Sequence, residues 1–73
     1  MPDINGLPCR RFYAVEDPGA PIERPHDYHL REDSACDDAA EMSEGGIAFV
    51  VKIYRGKMRL VYRYENGSHV HAY

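Results

Sequence analysis

All five prolines of this 73-residue chain, Pro2, Pro8, Pro18, Pro21 and Pro25, fall within its first 31 residues. Each lacks an amide donor, fixes its own φ and pushes its predecessor out of the helical region, so no long helix can form there. The segment is predicted to run extended. Within it "CRRFYAV", residues 9–15, is rich in aromatic and β-branched side chains and precedes the turn-like "EDPGAP"; that pattern predicts one short strand. Residues 21–31 are expected to cross the surface.

One helix is legible after this arm. In "DSACDDAAEMSEGG" an Asp33 or Ser34 cap, Asp37 three residues beyond Ser34 and the terminating Gly45-Gly46 predict a helix over about 34–44. Cys36, Ala39, Ala40 and Ser43 share a stripe at helical spacing, flanked by Ala35 and Met42. Side chains that small let a helix lie close on a sheet.

From Ile47 the period changes to two. "IAFVVKIY" and "MRLVYRY" read as strands joined by a two-residue turn around Arg55-Gly56-Lys57. Asn66-Gly67 is a strong hairpin signal, because both central positions of a type I′ turn need positive φ. It predicts a third strand in which Tyr64 pairs with His69, Tyr62 with His71 and Leu60 with Tyr73. One face then carries Ile47, Phe49, Val51, Ile53, Met58, Leu60, Tyr62, Tyr64, His69, His71 and Tyr73, and is expected to be the core face under the helix. The other carries Lys52, Tyr54, Lys57, Arg59 and Arg63 around Ala48, Val50, Val61, Val70 and Ala72. The fold class expected is α+β: a three-stranded antiparallel meander over about 47–73, one helix packed on it, and an extended proline-rich arm with a short strand. Residues 1–73 make one small domain, an arm at 1–31 and the helix with its hairpins at 33–73.

Charge is unevenly spread. Between residues 32 and 44 there are six acids (Glu32, Asp33, Asp37, Asp38, Glu41, Glu44) and no base, whereas residues 45–73 hold Lys52, Arg55, Lys57, Arg59 and Arg63 against Glu65 alone. The net charge of −3 argues against a protein whose main task is gripping phosphate. No apolar run approaches the ~18 residues a bilayer crossing needs, and the start lacks the order of a secretory signal; the chain reads as a soluble cytoplasmic protein with no membrane partner. Cys9 and Cys36 read as structural thiols.

Three chemistries compete for these side chains. His26 and His29 in "HDYH", with His69 and His71 in "HVH", offer imidazoles, the second pair on one face of a strand, but no Cys-x-x-Cys or His-Glu-x-x-His accompanies them; neither a metal nor another cofactor is expected. The interleaved "VKIYRGKMRLVYRY" has the composition of a stacking platform for single-stranded nucleic acid. The expected register places Tyr62 and Tyr64 opposite Arg59 and Arg63, so direct nucleic-acid binding is not expected, and it stays an alternative beside a small zinc-binding domain. No catalytic constellation is present, and the chain reads as a non-enzyme.

The acids of the helix extend past its first turn without bases at i+4, a repulsion that costs a few tenths of a kcal/mol per pair. Such a patch steers a protein toward basic surfaces. Asp37, Asp38, Glu41 and Glu44 are therefore the expected partner-binding residues, with Tyr54, Arg59 and Arg63 as secondary candidates. In its shortness, acidity and single-helix sheet design the chain resembles the small inhibitors that phages and mobile elements encode, anti-CRISPR proteins among them. That resemblance is one of style, rests on no motif and implies no site residue. The function expected is protein binding: occupation of a basic, nucleic-acid-binding surface on a larger host protein or nucleoprotein complex, with self-association left open.

Overall fold

Two hairpin turns organise the sheet. Arg55 and Gly56 have φ of 51° and 75°, and Asn66 and Gly67 have φ of 50° and 82°, the paired positive values of the type I′ geometry that matches strand twist. In this computed structural model, which describes residues 10–73, the turns connect β2 (Ile47–Tyr54), β3 (Lys57–Glu65) and β4 (Ser68–Ala72). The arm strand β1 (Arg11–Val15) is also part of the sheet. It pairs antiparallel with β2 from Arg11 opposite Ile53 to Val15 opposite Phe49. Among the described residues the sheet therefore has four strands in the order β1-β2-β3-β4 and not the three expected. β2 is apolar on both faces, and pairing both of its edges makes it a central strand. Cys9 lies outside the described residues.

Two bulges reset the faces. The pairing of β2 with β3 shifts between Val50 and Val51, so that Val51 faces Leu60 while Val50 faces Tyr62 and Val61 is the extra residue. A single inserted residue moves everything beyond it to the opposite side. Tyr62 and Tyr64 consequently share a face with Ala48 and Val50, not with Val51 and Ile53 as expected. The pairing of β3 with β4 shifts in the same way: Tyr64 faces His69 as expected, but Arg63 faces His71 and Tyr62 faces Ala72. The expected pairs Tyr62–His71 and Leu60–Tyr73 do not form.

The helix α1 (Glu32–Met42) begins and ends two residues earlier than predicted. Arg31 occupies the N-cap position, where its donor-only guanidinium cannot accept a helix N–H; the expected cap Asp33 instead pairs with the Arg31 guanidinium at 3.1 Å and accepts from the Ser34 N–H at 3.0 Å. The predicted Ser34–Asp37 capping box is absent. Ala35 and Ala39 are fully buried against Ala48 and Val50, with Phe12, Cys36, Met42, Val61, Tyr62 and Tyr64 around them. The helix thus covers the face of Ala48 and Val50, not the face of Val51 and Ile53 expected beneath it. Small side chains on both partners permit this close approach, which Phe49 and Ile53 on the opposite face would obstruct.

That opposite face has its own cover. Tyr13, Val51 and Ile53 are buried there with Val15, Ile22, Phe49 and Met58. The segment between β1 and α1 folds over it: Ile22 joins the cluster, the Tyr13 hydroxyl donates to the Pro25 carbonyl at 3.1 Å, and His29 exchanges two backbone hydrogen bonds with Phe12. Residues 21–31 are therefore a structural lid over β1 and β2. Two hydrophobic layers sandwich the sheet at β1–β2, and β4 is exposed along its whole length.

Candidate functional site

The acids of α1 fall on two sides of it. With Ala35 and Ala39 turned to the sheet, helical geometry points Asp33, Asp37 and Glu41 outward at i, i+4 and i+8. All three are exposed, as is Glu44 just past the helix. Arg31 pairs with Asp33 and holds its carboxyl below the ordinary carboxylate value through that hydrogen bond. Among the described residues Asp37, Glu41 and Glu44 take part in no ion pair. Asp38 differs: on the flank of the helix its Oδ2 lies 3.0 Å from His29 Nε2, which ties α1 to the lid segment.

Asp38 also joins the helix to further acids. A groove of about 430 Å³ runs beside β1, and its lining includes Glu16, Asp17, Glu23, Asp27 and Asp38 with Met42, Val15 and Ile22 beneath. Among the described residues Arg24 is the single base in that lining, and it is bound to Asp27 at 3.0 Å. The acidic surface is thus wider than the helix. The four acids of the 16–27 segment were not legible as site residues, because proximity to the helix arises only when the lid closes over Tyr13.

A second charged surface occupies the far end of the sheet, around the Arg55-Gly56 turn. Lys52 faces Arg59 directly across the strands and Tyr54 faces Lys57. The Tyr54 ring has the guanidinium carbons of Arg10 and Arg55 at 5.6 and 5.5 Å and the Lys52 ammonium at 6.0 Å; Lys52 also lies 5.3 Å from the Phe12 ring. Tyr54 and Arg59, two of the secondary candidates, are therefore together. Arg63 is separated from them by the Val61 bulge: it lies on the opposite face, 2.7 Å from Glu65 and 5.9 Å from the Phe49 ring centre. The signal that could have found Arg55 was present in the sequence, since an arginine before glycine stands where Asn or Asp is the ordinary choice.

The histidines do not converge. His69 stacks edge-on against Tyr62 and tilts against Tyr64, at 5.1 and 5.5 Å, while His71 meets Tyr73 at 4.5 Å. The bulge at Val70 puts His69 and His71 on opposite faces, against the expectation of one shared face. Among the described residues no group of three or more His, Cys, Asp or Glu is placed to hold a metal ion, and no helix there is long and apolar enough to cross a membrane. Between the two charged ends, burial and a hydrogen bond with the Cys36 thiol push the Tyr64 hydroxyl up to about 12. The Tyr62 hydroxyl, which donates to Glu32 at 3.1 Å, is raised by that carboxylate.

Compared with known proteins, the chain matches no family model, no curated protein and no solved structure.

Proposed function

We propose that this chain is a non-enzymatic binding protein whose acidic surface occupies a basic surface of a larger protein or nucleoprotein complex, in the manner of a small inhibitor. One observation carries the reading: Asp37, Glu41 and Glu44 stand exposed with no cation bound to them among the described residues, on a surface continuous through Asp38 with the acids of the groove. A protein that needed these acids only for solubility has no use for their concentration on one side. Uncompensated charge of one sign focuses the field and raises the encounter rate with surfaces of the opposite sign. Surfaces that otherwise hold nucleic acid are the strongest such targets.

The test uses Asp37→Lys, Glu41→Lys and Glu44→Lys combined, which leaves Asp38 and its contact with His29 intact. Partners recovered from the native host by the parent protein are compared quantitatively with those recovered by the triple variant. A partner whose recovery falls at least tenfold, and whose own surface is basic, is the expected result. Equal recovery by both proteins, with loss in Arg59→Glu, would remove the acidic surface from consideration.

A further inference from the structure

The end of the sheet opposite the acidic groove carries chemistry that the acidic contact does not use. Arg10, Lys52 and Arg55 gather around the Tyr54 ring, Lys57 and Arg59 stand opposite Tyr54 and Lys52 on the neighbouring strand, and among the described residues none of the five cations is in an ion pair. Lys52 and Arg59 sit directly opposite each other on neighbouring strands, an arrangement that destabilises a sheet. The backbone supplies an independent sign. Arg10 and Arg55 have φ of 58° and 51°, and Asn66 is the third described non-glycine residue with positive φ. Asn suits that conformation, whereas an arginine must be forced into it. Both strained arginines reach the same ring, that of Tyr54. Strain and like-charge repulsion concentrated on one aromatic side chain mark a surface shaped for a ligand.

The geometry points to this end as a binding site for single-stranded nucleic acid. Guanidinium and ammonium groups would take successive phosphates, and the partly exposed ring of Tyr54, beside the Phe12 ring that packs under the helix, would stack with an unpaired base. A flat array of cations alone would suit any polyanion. Rings set among the cations select one that carries planar bases, and among the described residues the sheet has no helix at this end to enter the groove of a duplex. The Val61 bulge, by turning Tyr62 to the face that carries Arg59, removes the separation of rings from cations that argued against this chemistry in the sequence. The platform ends where Glu32 holds the Tyr62 hydroxyl.

The experiment measures binding of the purified full chain to a labelled oligothymidylate and oligouridylate of about 20 nucleotides, longer than the ~4–16 that a small sheet domain covers. A duplex of the same length and inorganic polyphosphate are competitors. Binding of one or both single strands is expected, weakening with salt and preferred over the duplex; the two oligonucleotides show whether DNA or RNA is the better ligand. Tyr54→Leu should weaken binding about tenfold while keeping the salt slope, and Tyr54→Phe should bind as the parent does. Arg55→Asn should raise the melting temperature, because it relieves the strained turn, yet weaken binding and reduce the logarithmic salt slope by about 0.7. Folding of each variant is checked by circular dichroism. No binding at low salt, tighter binding to the duplex, or binding that ignores Tyr54→Leu and is displaced equally by polyphosphate would each overturn the proposal.

Discussion

Ser43 shows how one small polar side chain ties the helix to the sheet. It is fully buried, donates from its hydroxyl to the Ala40 carbonyl at 3.0 Å, and accepts the Gly67 N–H at 2.8 Å. Ser43→Ala would leave that N–H unpaired at the second hairpin turn, at a cost of about 1–3 kcal/mol, read as a lower denaturant midpoint with an unchanged slope. Tyr64 makes a prediction in pH. Its ordinary value is 10.0 and the fold raises it to about 12, so the unfolded chain releases this proton first as pH rises. The stability held by the neutral hydroxyl is fully present below pH 10.0 and is lost as pH climbs toward about 12. Unfolding followed across that alkaline window should show the loss in the parent and a smaller loss in Tyr64→Phe. Ser43 was legible as a small residue on the stripe facing the sheet, but neither as the residue that caps the helix nor as a bridge, because its partner lies 24 residues away.

Among the elements, turns were readable and bulges were not. Asn66-Gly67 announces its geometry, since few residues tolerate the required φ. Asn66→Ala should therefore lower stability by roughly 1 kcal/mol in denaturant unfolding, without altering the strands. The helix was recognisable from its acids, its alanines and its terminal glycines. Its docking face was not: β2 reads apolar on both sides, and the choice between Ala48 with Val50 and Val51 with Ile53 depends on how closely the helix can approach. The extra residues Val61 and Val70 look like any other strand residue, yet each turns every side chain beyond it to the other face of the sheet. Those two insertions account for the displaced His71, for the separation of Arg63 from Arg59, and for the meeting of Tyr62 with the helix. β4 carries neither proline nor lysine to guard its open edge, and its bulge is the device left to discourage edge pairing.

At the scale of the molecule the result is a bipolar body, 35 Å long and 18–19 Å across. The eight residues of β2 span about 26 Å at ~3.3 Å each, so the long axis follows the strands. The Arg55-Gly56 turn caps one end, and Glu44, Glu65 and the start of the acidic lid segment lie toward the other. Net charge conceals this separation, which is why composition argued only weakly about partners. A body of this kind suits a nucleoprotein target, where basic protein surface and exposed nucleic acid occur side by side. The acidic contact makes a kinetic demand. Electrostatic steering acts on association and is screened over about 10 Å at 0.1 M salt. The direct measurement is the association rate of the purified chain with its captured partner, taken across a series of salt concentrations for the parent and for the Asp37→Lys, Glu41→Lys, Glu44→Lys variant. The parent rate should fall steeply with salt and the variant should be slowest at low salt, the two converging as salt rises. Parent and variant rates that coincide at every salt concentration would rule out steering by these acids.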